Sequence, residues 1–195
     1  MNDDHPRDLL AIVSTLDRLD DLPRSGWLFC GVDDPESIAA HSYGVALVAL
    51  WLADRVDADI DTGRLLRLAL LHDIAEAMLT DLPRPIKDVL GDDRLHRAED
   101  QALDGLLGEG DHPWKRTHQE YRLRQSPEAR LVKAADQIQM LNKALLYRHR
   151  QQASIDDFFA DRSTYHHQQF PLVKAVFDHL FDCYSDHRLP DLRRL

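Results

Sequence analysis

At 195 residues, 44% of them hydrophobic and 30% charged, the chain has the size and composition of one soluble globular domain with a substantial core. A formal net charge of −10 argues against general electrostatic binding to a nucleic acid polymer. Cys30 and Cys183 have no metal-finger or CxxC spacing and suggest free thiols in a reducing compartment, although a pair stays open. The N-terminal MNDDHPRDLLAIV has no charged-then-apolar signal pattern, and no apolar run approaches the ~18 residues of a membrane span. A cytoplasmic protein without membrane contact is expected.

Eight glycines and nine prolines fall mostly between segments of helical period, with no convincing strand alternation. Pro6 to Leu19 carries Leu9, Ile12, Leu16 and Leu19 at helical spacing. An irregular stretch, DDLPRSGWLFCGVDDPES, follows. A second helix starts near Asp34-Pro35 or Ser37 and runs to about Asp54. A third begins at Thr62 and is predicted to continue through RLLRLALLHDIAEAML. Leu95 to Leu107 reads as a polar helix and Trp114 to Arg124 as another. Ser126-Pro127-Glu128 opens a long helix, with proline at its first position and an acid in its first turn. Gln151 to Gln169 is ambiguous, and Pro171 opens a final helix through Tyr184. The fold class is all-α in one domain.

Helical faces repeat at three and four residues. On that basis His41 shares a face with Ile38, Val45, Val48 and Leu52. His72 lines up with Leu65, Leu68 and Leu79, and Glu76 is four residues beyond it. Asp136 sits between Val132 and Met140. A single buried histidine is usually a hydrogen-bonded core residue, whereas an unpaired buried carboxylate is costly or changes its protonation state. A divalent cation shared by two histidines and two aspartates satisfies all four. Nitrogen and oxygen ligands suit Mn, Fe, Co, Ni or Zn better than Ca or Mg. Adjacent His72 and Asp73 point about 100° apart on a helix, so a common ion must lie in a groove between helices.

The pattern H…HD…D, formed by His41, His72-Asp73 and Asp136, resembles the HD-domain metal-dependent phosphohydrolases. HDIAEAMLTDLPRPIK and AHSYGVALVALWLA are similar to bacterial 5′-deoxynucleotidases and the eukaryotic HD-domain-containing-2 group. The similarity covers roughly Leu22 to Tyr147. It implies a single HD-type helical bundle over 1–195, with a motif core of about 22–147 and C-terminal helices in 148–195.

For individual residues the resemblance implies His41, His72, Asp73 and Asp136 as ligands of one divalent transition metal per chain. It implies Glu76 and Asp81 as catalytic carboxylates, with Trp27 and Arg24 in substrate binding. In the bacterial enzymes an arginine directly precedes that tryptophan and contacts phosphate. Here Gly26 holds that position, and Arg24 in PRSGW is the nearest arginine. Trp27 is equally readable as a core plug. The implied activity is hydrolysis of 2′-deoxyribonucleoside 5′-monophosphates by a homodimer.

Alternatives are an HD enzyme acting on a triphosphate, cyclic nucleotide or alarmone, a di-iron oxygenase, or a non-catalytic helical scaffold. Two-metal relatives generally need extra histidines or a second acid beside the motif, and residue 77 is alanine. The final helix, with Val173, Val176, Phe177, Leu180 and Phe181, is compatible with either a dimer face or core. Arg84 and Lys87 are solvated charges or line a cleft mouth. His166-His167 lacks a partner motif, and His5, His96, His112, His118, His149, His179 and His187 receive no role. Gly44, inside a helix, either admits a close neighbour or is merely tolerated.

Overall fold

Side-chain caps begin three helices of the bundle. Ser37 accepts from the N–H of Ala40 (3.1 Å), Asp61 from that of Arg64 (2.9 Å) and Ser126 from that of Ala129 (3.1 Å). The computed structural model describes residues 5–150, 153–165 and 169–190 and is helical throughout. In chain order the helices are α1 (His5–Leu16), α2 (Arg18–Asp21), α3 (Ser25–Phe29), α4 (Ile38–Ala53), α5 (Thr62–Leu71) and α6 (Glu76–Leu79). They continue with α7 (Arg84–Leu90), α8 (Asp92–Leu107), α9 (Pro113–Leu123), α10 (Pro127–His149) and α11 (Pro171–Ser185). Short 3-10 turns lie at Asp156–Phe159 and Arg162–Thr164, inside the stretch the sequence leaves ambiguous. His166 and His167 lie outside the described residues.

α10 packs along α4 and α5 and carries α11 and α9 against it. Val45, Ala49, Leu52, Leu65, Leu68, Leu131, Val132, Ile138, Leu141 and Leu145 share one buried cluster that also takes in Val173, Phe177, Leu180 and Phe181 of α11. The apolar face of α11 is therefore core. Small residues at these contacts, among them Ala46, Ala49, Ala69, Ala134 and Ala135, are buried and let the helix axes approach closely. A second cluster joins Leu71, Ile74 and Ala75 to Ala102 and Leu103 of α8. The segment after α5 thus lies at the seam between two cores.

Three sequence expectations are corrected. The first helix is interrupted at Asp17, between α1 and α2. The third helix ends at Leu71 instead of running on to Leu79. Beyond it the N–H groups of Ile74, Glu76, Ala77 and Met78 reach carbonyls three residues back, at 3.0–3.3 Å. Ala69 O, the acceptor that Asp73 N–H would use in a continuing α-helix, receives Nδ1 of His72 (2.8 Å). Third, the stretch before α4 is not merely irregular. It holds α3 and folds back on itself through Arg24 N–H to Glu36 O (2.9 Å) and Ile38 N–H to Leu22 O (3.0 Å).

Leu141 is fully buried in the larger cluster. Leu141→Ala is expected to lower the unfolding free energy by about 2–5 kcal/mol, read from urea denaturation midpoints at unchanged slope.

Candidate metal centre and active site

Nε2 of His41, from α4, lies 3.4 Å from Nε2 of His72, in the tight turn after α5. Asp73 Oδ2 is 3.2 Å from His72 Nε2 and 3.7 Å from His41 Nε2. Asp136 Oδ1, from α10, is 3.3 Å from His41 Nε2. Neighbouring His72 and Asp73 converge because the chain has left α-helical geometry there. Each Nδ1 faces a carbonyl oxygen, His72 at Ala69 O (2.8 Å) and His41 at Gln139 Oε1 (2.7 Å). A ring that donates from Nδ1 offers Nε2 as a ligand, the arrangement usual for metal-bound histidine. Two facing Nε2 atoms, flanked by carboxylate oxygens, are a donor set that fits a divalent transition metal. His41, His72 and Asp73 have one ligand atom each within a single 4.8 Å cluster. Asp136 adjoins it through His41.

Around these four the structure adds partners that the sequence reading missed. The outer oxygen of Asp136 accepts from Lys133 Nζ (2.7 Å) and from the Tyr121 hydroxyl (3.0 Å). Burial and the nearby Asp136 push the Tyr121 pKa well up, so it remains a donor. No signal in the sequence marks Tyr121. Lys133 was findable as a cation three residues before Asp136 on the same helix.

Arg24 does turn inward. Its Nη1 donates to Asp73 Oδ2 (2.9 Å) and is 3.9 Å from Asp81 Oδ1. Asp81 follows Thr80, whose φ of 65° is a strained conformation for a β-branched residue. Ser25 Oγ donates to Asp81 O (2.5 Å) and lies 3.2 Å from Asp81 Oδ2, which accepts from Gly26 N–H (3.4 Å), and these contacts tie the α6–α7 turn to α3. Pro83, before α7, is buried beneath that turn.

Trp27 is placed in the core, in line with the core-plug reading. It is 3% exposed, stacks on Phe158, meets Tyr147 edge-on, and donates its indole N–H to Glu36 (3.3 Å). The single turn of α3 accounts for this by directing the ring inward. Arg84 pairs with Asp88 on the exposed side of α7. Lys87 instead approaches Glu76 Oε1 at 3.7 Å. His118 is buried, and burial followed by Arg122 lowers its pKa to about 4.

The electrostatics divide the acids. Burial would raise the Asp73 pKa, but His72, Arg24 and His41 hold it well below the usual carboxylate range. Asp136 is likewise lowered, with Lys133 and the two histidines outweighing burial. Burial opposes charge on His72, yet Asp73 and Asp136 lift its pKa. Glu76 goes the other way. Burial, reinforced by Asp73 and Asp81, raises it well above normal despite Arg24 and Lys87, and among the described residues its Oε2 has no hydrogen-bond partner.

An HD-domain family model matches residues 16–174. The chain belongs to the HD-domain family. A zebrafish (Danio rerio) protein named 5′-deoxynucleotidase HDDC2 is 30% identical over 180 residues, covering 86% of each chain. Its human counterpart of the same name is 33% identical over 150 residues, covering 72% of this chain and 69% of the human one. A solved structure from Pyrococcus horikoshii superposes with a TM-score of 0.76 at 31% identity, over 89% of this chain and 98% of the archaeal one. These likenesses agree with the all-helical HD architecture. Among the described residues no helix is long and apolar enough to cross a membrane.

Glu76 generates a pH prediction for metal-free protein. A carboxyl whose folded pKa lies above its unfolded value binds more protons when folded. Stability then falls as pH rises from the ordinary glutamate range toward the folded pKa. Glu76→Gln removes that loss. Its melting temperature is expected to exceed wild type by a margin that widens with rising pH, and a constant gap would contradict the buried-acid reading.

Proposed function

We propose that this HD-domain protein is a metal-dependent phosphohydrolase that converts 2′-deoxyribonucleoside 5′-monophosphates to deoxynucleosides and phosphate. The observation that carries the reading is the convergence of His41, His72, Asp73 and Asp136 beside a protonatable Glu76, in a chain related to proteins named 5′-deoxynucleotidase. His41, His72, Asp73 and Asp136 would hold one divalent ion of Mn, Co, Ni, Fe or Zn. When bound, such an ion supplies Lewis-acid charge and acidifies water.

The chain's own groups perform the rest. Arg24 sets a guanidinium beside Asp73 and Asp81, where it can neutralise substrate phosphate. Asp81, aligned by Ser25 and Gly26, accepts the proton of the attacking water. Glu76, buried and facing Lys87, is placed to donate a proton to the departing 5′-oxygen as the phosphorus–oxygen bond breaks. Lys87 faces Glu76 and stays protonated, because Glu76, Asp73 and Asp81 outweigh its burial.

The 2′-deoxy preference rests on the names of the relatives, because the Trp27 ring is committed to the core. For the homodimer, exposed Tyr43, Leu47 and Trp51 form a stripe along α4 at four-residue spacing, whereas α11 is occupied internally. A cytoplasmic location accords with Cys30 and Cys183 forming no disulfide.

The test is phosphate release from deoxy- and ribonucleoside 5′-monophosphates, triphosphates and cyclic nucleotides, each with Mn, Co, Ni, Zn and Mg. Turnover is expected to be best on the deoxy monophosphates and to require a transition metal. Equal rates on ribonucleotides would move the substrate assignment, and full activity after metal stripping would end it.

His41→Ala and Asp136→Ala should lose metal and activity together. Glu76→Gln should retain metal and fold while turnover drops by at least ~10²-fold. Near wild-type turnover in that variant would remove Glu76 from the chemistry.

A further inference from the structure

The two facing imidazoles are oriented by different means. His72 is fixed by Ala69 O, a backbone group three residues back at the end of α5, which no substitution deletes. His41 depends on a side chain from another helix, through Nδ1 to Gln139 Oε1 on α10 (2.7 Å). Nε2 of Gln139 in turn donates to Glu36 Oε2 (2.8 Å). Glu36 is held from every side. Its carboxylate receives Lys143 Nζ (3.0 Å) and the Trp27 indole N–H (3.3 Å), and its backbone N–H donates to the Tyr147 hydroxyl (2.8 Å). Its side chain is 5% exposed.

We propose that Glu36 and Gln139 are positioning residues that set the tautomer of His41 and so prepare Nε2 to bind metal. An ionised carboxylate only accepts, which obliges the Gln139 amide to present its NH₂ to Glu36. Its carbonyl must then face His41, so Nδ1 of His41 carries the hydrogen. In the neutral ring the lone pair is left on Nε2, toward His72, Asp73 and Asp136. The reversed amide would set carbonyl against carboxylate and, by offering NH₂ to Nδ1, move the ring hydrogen to Nε2. Trp27 and Lys143 thus act at a distance on a metal ligand, by fixing the carboxylate that orients the amide.

Gly44 is an independent sign that this lane is built. It lies in the interior of α4, where glycine is unfavourable relative to alanine. A Cβ there would sit 3.1 Å from Gln139 Cγ and 3.4 Å from Gln139 Nε2. The missing side chain leaves Gln139 room to pass between His41 and Glu36.

The inference rests on His41 being a metal ligand and on nothing about substrate. Its readouts are therefore chosen to work without nucleotide. Long-range ¹⁵N–¹H NMR on metal-free protein above neutral pH is expected to show His41 protonated on Nδ1 in wild type. In Glu36→Gln, which keeps shape but lets the amide turn either way, and in Gln139→Leu, the ring should populate the Nε2–H form. Zinc titration should show affinity lower by roughly 10–100-fold in both variants, and in Gly44→Ala a loss in the same direction. Glu36→Gln is the least disruptive change and decides the matter if Gln139→Leu does not fold. Wild-type His41 protonated on Nε2 would overturn the proposal. So would a folded Glu36→Gln protein with the wild-type tautomer and wild-type zinc affinity. Failure to release phosphate from any deoxynucleotide would leave these readouts unaffected.

Discussion

The arrangement depends on an excess of negative charge held at the seam of two hydrophobic cores. Asp73, Glu76, Asp81 and Asp136 come together there, with Arg24, Lys87 and Lys133 as the cations that reach them. Four acids against three bases leaves the site negative unless Glu76 keeps its proton or a histidine gains one. Both tendencies appear, in the raised Glu76 and the raised His72. A divalent cation answers the same negative charge in another way, by interacting with several carboxylates and both imidazoles at once. Metal dependence is thus a consequence of where the fold puts its acids.

That placement uses local departures from regular structure, each stabilised by packing elsewhere. The tight turn from His72 to Ala75 sets His72 and Asp73 on one point, and buried Ile74 and Ala75 anchor it against α8. Strained Thr80 and buried Pro83 bracket Asp81. Strain and buried charge both destabilise the folded chain, and the α4–α5–α10 cluster is what can offset them. The helices therefore need high stability where they are regular so that the segment between them can be irregular.

This division also explains what could be read from the sequence. The Ser126-Pro127-Glu128 start of α10 was legible because capping chemistry is local, and its predicted cap bond is present. His41, His72 and Asp136 drew attention because each interrupts an apolar period, and the structure brings them together. The end of α5 was not legible, since LLHDIAEAML keeps its helical period through a segment whose hydrogen bonds have shifted to three-residue spacing. The His72 side-chain bond to Ala69 O that accompanies the shift leaves no mark in hydropathy. Helices α3 and α7 were hidden by Gly26, Pro83 and Pro85, which read as breakers yet stand in or beside short helices. Tyr121, Glu36 and Gln139 were invisible for another reason. Their roles come from partners 15, 111 and 98 residues away, and polar residues on half-buried faces are ordinary taken singly.

The arginine question shows how a fold can shift a function along the chain. The resemblance expects the phosphate-contacting arginine directly before Trp27, where this sequence has Gly26. Crowding does not require the glycine, because a Cβ there would meet nothing within 4 Å. What the position supplies instead is a backbone N–H directed at Asp81 Oδ2. The positive charge comes from Arg24, which caps the start of α3 in an extended conformation and reaches Asp73. Arg24 N–H is also bonded to Glu36 O, the residue whose side chain orients Gln139. One fold-back of the chain thus places the guanidinium on Asp73 and the Glu36 carboxylate on the amide that meets His41. A shift of two residues in sequence is absorbed by this fold-back and the single turn of α3. The chemistry constrains where the charge lies, and the loop is free to choose which residue carries it.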